Sequence, residues 1–216
     1  MRVEIKFCGL TRAADAALGA SLGASYLGVV FAPSPRRLNP AAASRLFDSV
    51  GDGPKRVGVF AVSPPREITQ TAREVGLDVV QLHGDPNAAA VEAVRDQFEG
   101  EVWAACRIAG SQLPADFHAL AQVAHRILLD TRPGNGALGG TGTRFAWEAI
   151  VEPLANLRGQ TPIVVAGGLT PDNVARAIKA LSPNAVDVSS GVESAPGIKD
   201  ETLMRAFARA VGATAT

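Results

Sequence analysis

The chain has 216 residues, enough for one large α/β domain or two small ones. Its formal net charge is zero, which removes any global pull toward nucleic acid or an anionic membrane. Hydrophobic residues are 47% and aromatics only 5%, so the core must be built from Val, Ile, Leu and Ala, as in parallel-sheet proteins.

Met1-Arg2-Val3-Glu4-Ile5-Lys6 lacks the apolar stretch of a signal peptide. No run of about 18 apolar residues suggests a membrane span. Two cysteines, Cys8 and Cys106, do not make a disulfide framework. The expectation is a cytoplasmic protein.

Apolar, strand-like runs begin near Val3, Tyr26, Arg56, Val79, Val102, Arg126, Ile163 and Ala185. Segments with helical spacing lie between them. Ala13–Leu22 is Ala-rich and ends at Gly23, a C-terminal stop signal. Asn39-Pro40 opens the second helix and Ser63-Pro64-Pro65 the third. Asp85-Pro86 opens the fourth, with Val91, Val94 and Phe98 on one stripe. Pro114–Ala121 is a short fifth. Trp147–Leu157 is the sixth, and Pro153 should kink or split it. Thr170–Leu181 is the seventh, with Thr170 as cap and Pro171 as first helical residue. Asp200–Val211 is the last, with Leu203, Phe207 and Ala210 facing inward.

The long run from Thr131 to Thr143 holds neither helix nor strand signals, and long loops in compact domains tend to be functional. Eight βα units fit a single (β/α)8 TIM-barrel domain over residues 1–216. The rival is an open doubly wound sheet, which usually carries its glycine fingerprint after the first strand. Here the first turn is Cys8-Gly9-Leu10-Thr11-Arg12, without that fingerprint. Glycines follow the last two strands instead, as Gly167-Gly168 and as Ser189-Ser190-Gly191. Barrels commonly bind phosphate there, through free backbone N–H groups and the helix dipole.

Barrel chemistry sits at the carboxyl ends of the strands. Cys8 and Asp130 are the thiol and the carboxylate read at such ends with a view of a bound ligand. A thiolate can take a proton from carbon, and a carboxylic acid can donate one. A strand-end cysteine can equally be a small buried hydrophobe, and a strand-end aspartate a loop anchor. Arg36 follows Ser34-Pro35, and its planar fork suits a carboxylate held at two points. His83 lies in a tight turn, as a core residue or a ligand contact. Cys106 reads as packing. His118 and His125 have no ligand-like neighbours, and no cluster has metal-site spacing. Neither a metal nor a cofactor is expected.

These residues fall within ordered motifs: Lys6-Phe7-Cys8-Gly9-Leu10-Thr11, Ser34-Pro35-Arg36, Gln81-Leu82-His83-Gly84, Leu128-Leu129-Asp130, Gly139-Gly140-Thr141-Gly142, Ala166-Gly167-Gly168-Leu169 and Asp187-Val188-Ser189-Ser190-Gly191. In that order, from about Val3 to Phe207, the sequence resembles the phosphoribosylanthranilate isomerases of tryptophan biosynthesis. The resemblance implies a (β/α)8 barrel and an Amadori rearrangement of N-(5-phosphoribosyl)anthranilate without a metal. It makes Cys8 the general base and Asp130 the general acid. It gives Arg36 the anthranilate carboxylate, and Gly167, Gly168, Ser189, Ser190 and Gly191 the phosphate. Gly139 and Gly140 belong to its glycine-rich loop after the sixth strand, and His83 joins the substrate contacts. The partner implied is a small phosphorylated substrate, with no nucleic acid and no membrane, in a monomer or homodimer.

Two departures touch the lid rather than the chemistry. Phe145-Ala146-Trp147 stands where the family often has Phe-Asp-Trp, so a helix cap is lost unless Thr143 replaces it. The loop from Arg132 to Leu138 is also longer than usual. Dual histidine- and tryptophan-pathway isomerases would need a second phosphate clamp after strands three or four and an aspartate in place of Cys8. Neither is present. Other phosphate-binding barrels would want metal ligands or a catalytic lysine at a strand end. A non-catalytic barrel that binds phosphometabolites is the alternative of a different class.

Overall fold

Successive residues of a strand point to opposite faces, so a strand with a core on both sides must be apolar almost throughout. The computed structural model describes residues 2–61, 63–109, 112–131, 147–155 and 160–214, and in it eight such strands close into a parallel barrel in chain order. They are β1 (Glu4–Phe7), β2 (Tyr26–Val30), β3 (Lys55–Phe60), β4 (Val79–Leu82), β5 (Glu101–Ile108), β6 (Arg126–Thr131), β7 (Ile163–Val165) and β8 (Ala185–Val188). β8 pairs with β1 in register, Lys6 opposite Asp187, which shuts the sheet. A short antiparallel hairpin, β9 (Glu193–Ala195) and β10 (Ile198–Lys199), follows β8 and turns at Gly197.

The helices are α1 (Ala13–Ser21), α2 (Pro40–Asp48), α3 (Pro65–Val75), α4 (Ala88–Arg95), α5 (Phe117–Val123), α6 (Val151–Ala155), α7 (Val174–Leu181) and α8 (Glu201–Gly212). Local chemistry sets several of their ends. Asn39 accepts the Ala42 N–H at 2.8 Å, with Pro40 as first residue of α2. Gly23 lies in the left-handed region just beyond α1, and Gly76 does so beyond α3. A single 3-10 turn, Trp147–Ile150, precedes α6, and Pro153 falls in the first turn of α6, where its missing N–H costs no internal bond.

Three helix starts differ from the sequence reading. α4 begins after Asn87, whose side chain accepts the Ala90 N–H at 2.9 Å, and not at Asp85-Pro86. Asp85 instead takes a positive φ of 51° and turns its carboxylate to Arg107. α5 starts at Phe117 rather than Pro114. α7 starts at Val174 rather than Thr170, because Asn173 folds back, accepting the Thr170 N–H and donating to the Gly168 carbonyl. In α8 the fully buried positions are Met204, Phe207 and Val211, one step from the expected Leu203 and Ala210, which are half-buried.

Two cores result. Inside the barrel, Tyr26, Val57, Val79, Trp103, Leu128, Val164 and Ala185 fill the lower layers. The Arg126 guanidinium covers Tyr26 and Trp103 at 5.2 and 5.3 Å and pairs with Glu4, so the amino-terminal end of the barrel is plugged. Outside, Phe7, Leu27, Val80, Leu129 and Val186 meet the helices, as where Phe7 contacts Phe207. With this floor filled, the cavity inside the barrel opens toward the carboxyl ends of the strands. Among the described residues, no helix is long and apolar enough to cross a membrane.

Candidate active site

The carboxyl ends of the strands enclose a cavity of about 450 Å³. Cys8, Arg36, His83, Asp130, Gly167, Gly168, Ser189, Ser190 and Gly191 all line it. Every described residue singled out from sequence as a site residue is therefore in one place. Gly139 and Gly140, with the rest of the loop after Thr131, lie outside the described residues. So do the Phe145-Ala146 departure and the Thr143 cap.

Cys8 directly follows β1 and lines the cavity. It is buried and outside any disulfide; Cys106, also outside any disulfide, is buried on the apolar outer face of β5. Burial pushes the Cys8 thiol up, and Lys6 opposes this through its charge and a hydrogen bond. Asp187 adds to the upward push, and Lys199 subtracts from it.

Asp130 ends β6. Its Oδ1 accepts the Thr131 N–H at 2.7 Å, and its Oδ2 faces His83 Nε2 at 3.1 Å. The far side of that ring, Nδ1, lies 3.1 Å from Gln81 Nε2, two residues back on β4. His83 thus engages protein on both ring nitrogens while lining the cavity.

Gly167 has a φ of 80°, and a Cβ there would stand 2.5 Å from Thr131 Oγ1 and 2.8 Å from Asp130 Oδ1. This glycine is needed for the close approach of β7 to the end of β6 as well as for its turn. At Gly191 a Cβ would stand within 1.8 Å of the Leu169 carbonyl oxygen. The loops after β7 and β8 therefore touch backbone to backbone. Ser190 and Gly191 lead a one-turn 3-10 helix, where the first N–H groups have no acceptor within the turn. Since α7 begins four residues after Thr170, the anion-favouring groups here come from these two loops and not from a helix that starts at Thr170.

Arg36 holds a carboxylate at two points, and in this structure that carboxylate is the protein's own. Its Nε and Nη2 donate to Glu193 Oε1 and Oε2 at 2.8 and 2.6 Å. Lys199 also donates to Glu193, at 2.8 Å, and to the Ser189 carbonyl at 3.1 Å. Burial pushes the Glu193 carboxyl up, but the hydrogen bonds and charges of Arg36 and Lys199 outweigh it and hold the group below its ordinary range. Burial lowers Lys199, with Glu193 opposing. Gly9, at a φ of 68°, makes room for Arg36: a Cβ would lie 2.5 Å from Arg36 Cδ.

The sequence makes Cys8 and Asp130 the only thiol and carboxylate at strand ends facing a ligand, but in the structure a second carboxylate, Asp187, lines the cavity. Asp187 on β8 binds Lys6 Nζ through Oδ2 at 2.9 Å, and its Oδ1 is buried without a partner among the described residues. The strand alternation that placed Cys8 also places Lys6 inward. Its partner, 181 positions away, is beyond any sequence pattern. Among the described residues, no group of three or more His, Cys, Asp and Glu side chains has metal-holding geometry.

A family model described as N-(5'-phosphoribosyl)anthranilate (PRA) isomerase matches residues 5–210. The N-(5'-phosphoribosyl)anthranilate isomerase of Rubrobacter xylanophilus is 42% identical over 209 residues, 96% of this chain and 98% of that one. The crystal structure of phosphoribosyl anthranilate isomerase from Thermus thermophilus is similar with a TM-score of 0.84 at 35% identity, covering 99% of both chains. A phosphoribosyl anthranilate isomerase in complex with reduced 1-(o-carboxyphenylamino)-1-deoxyribulose 5-phosphate is similar with a TM-score of 0.82 at 32% identity, over 98% of this chain and 99% of that one. By sequence along nearly its whole length and by fold, the chain belongs to the N-(5'-phosphoribosyl)anthranilate isomerase family, enzymes of tryptophan biosynthesis.

Proposed function

We propose that the chain converts N-(5-phosphoribosyl)anthranilate to 1-(2-carboxyphenylamino)-1-deoxyribulose 5-phosphate by general acid and base catalysis, with no metal ion taking part. The observation that carries this reading is the meeting of Cys8 and Asp130 in one cavity with the Gly167-Gly168 and Ser189–Gly191 loops. The solved relative that holds a reduced form of this product supports the same substrate class.

Asp130, in its acid form, donates its proton to the ring oxygen of the ribose. The ring opens to a protonated Schiff base at C1. Cys8, as thiolate, removes the proton from C2, and the electron pair of that C–H bond neutralises the iminium to give an enolamine. Loss of the O2 proton and gain of one at C1 give the ketone, and both groups end as they began. The scheme needs an ionised thiol and a protonated carboxyl at once, the reverse of their order as free groups in water. Asp187 Oδ1 offers an acceptor for the anilino N–H, next to the cationic intermediate.

The phosphate is held by backbone N–H groups of the two glycine loops. Arg36 leans over the cavity rim and takes the anthranilate carboxylate, sharing its donors with Glu193. The partner is thus a small phosphorylated anion, with no nucleic acid involved, and the compartment is the cytoplasm.

The test is direct. Substrate generated in place from anthranilate and phosphoribosyl pyrophosphate is mixed with the purified protein, and anthranilate-type fluorescence is followed. Loss of fluorescence at a rate proportional to protein is expected. No acceleration over the blank would sink the proposal.

A further inference from the structure

Lys6 has no part in the scheme above, yet it is a fully buried lysine in the middle of a barrel. An unpaired ammonium in such a place would lose its proton rather than remain charged. Here Asp187, directly opposite on β8, takes it at 2.9 Å. A buried ion pair is rarely kept for stability alone, because apolar residues of the same volume do as well or better.

Its position supplies another reason. Lys6 on β1 and Cys8 just after it are two residues apart, so both point inward, with Cys8 one layer nearer the cavity. Gly28 on β2 lies beside them. A Cβ on Gly28 would stand 3.1 Å from Cys8 Sγ and 3.2 Å from Lys6 Cε, so thiol and lysine chain close over the same empty spot. The ammonium is bonded to Asp187 and also hydrogen-bonds the Cys8 side chain.

We propose that Lys6 is a positioning residue for the reaction: its ammonium, held charged by Asp187, is the built-in counter-charge for the thiolate of Cys8. This rests on the reading of Cys8 as base. It goes beyond it by saying how a buried thiol with an anionic substrate above it comes to be ionised. Burial and Asp187 push the Cys8 thiol up, and Lys6 is the largest influence in the other direction. The other charged and titratable groups around Cys8 are Lys199 from β10 and Arg36 from the loop after β2, both engaged by Glu193, with Asp130 and His83 lining the same cavity.

The experiment measures the Cys8 thiol itself. In a Cys106→Ala background only Cys8 reports, and its pKa follows from the pH dependence of alkylation by iodoacetamide and from thiolate absorbance. Lys6→Met removes the charge at similar length. Lys6→Met/Asp187→Asn also removes the stranded carboxylate, so a folded protein is available if the single variant does not fold. Lys6→Met should raise the thiol pKa by at least about one unit, a tenfold loss of thiolate near neutral pH. The double variant should shift it the same way by about half a unit or more, since loss of Asp187 offsets part of the effect. Turnover should fall in step, the acid limb of the pH–rate profile should move up with the thiol, and KM should stay within about threefold. An unchanged thiol pKa in whichever variants fold would overturn the inference and leave the role of Cys8 standing. Conversely, full turnover in Cys8→Ala would remove Cys8 as base, and with it the catalytic role of Lys6, whatever the thiol titration of the Lys6 variants shows.

Discussion

His83 Nε2 stands 3.1 Å from Asp130 Oδ2, and Gln81 holds the other ring nitrogen at the same distance. A ring pinned on both sides cannot swing to meet a ligand without giving up a partner, so its first effect is on Asp130. His83→Asn should lower turnover about ten- to a hundredfold, with a smaller change in KM, as expected if Asp130 is the general acid proposed above and its aim is disturbed. Steady-state kinetics check this. A large KM effect at constant kcat would make His83 a substrate contact instead.

Cys8→Ala and Asp130→Asn should each reduce turnover by about 10²–10⁴, the usual range for a general acid or base. Their effects should not multiply in the double variant, because losing either proton transfer already stops the same sequence of steps. Single-turnover fluorescence decay measures this without confusion from product release.

Gly167→Ala distinguishes two jobs for one glycine. A residue that served phosphate alone would raise KM. The added Cβ would instead press on Thr131 and Asp130 Oδ1 at a positive φ, so we expect kcat to fall by more than tenfold together with a stability loss of about 1–2 kcal/mol. Gly191→Ala, whose Cβ runs into the Leu169 carbonyl, should separate the two loops and weaken phosphate binding by at least tenfold. Inhibition by inorganic phosphate reads that affinity without turnover.

Arg36→Ala should raise KM far more than it lowers kcat, through loss of the carboxylate contact. It should also leave Glu193 paired with Lys199, while Lys199 keeps its bond to the Ser189 carbonyl. A substrate analogue without the ring carboxylate should bind parent and variant alike, and a variant that discriminates as the parent does would refute the contact.

Acid stability follows from Glu193. Its folded carboxyl lies below the ordinary range, so it binds fewer protons than the unfolded chain near pH 4. Its stabilising contribution is complete above the unfolded value of about 4.3 and is lost as pH falls through the lower folded value. Lys199, although lowered, is charged in both states across that acid range and adds no slope there. Glu193→Gln should therefore be less stable than the parent at neutral pH, and the gap should narrow steadily below about pH 4.3 in urea melts.

The order of eight strands, their inward and outward faces, and the cluster of Cys8, Asp130 and the glycine loops at one rim were legible in the chain, because strand alternation and turn chemistry are local. Helix starts were less so. Asn87 caps α4 by a local bond to the Ala90 N–H while Asp85 is drawn across the rim to Arg107, and Asn173 displaces Thr170 by bonding its N–H and the Gly168 carbonyl. What tertiary structure alone decided is which polar side chains meet: Lys6 with Asp187, Arg36 with Glu193, His83 with Asp130. Barrel closure brings the first strand against the last, and an electrostatic partner across that seam leaves no periodicity in the sequence to announce it.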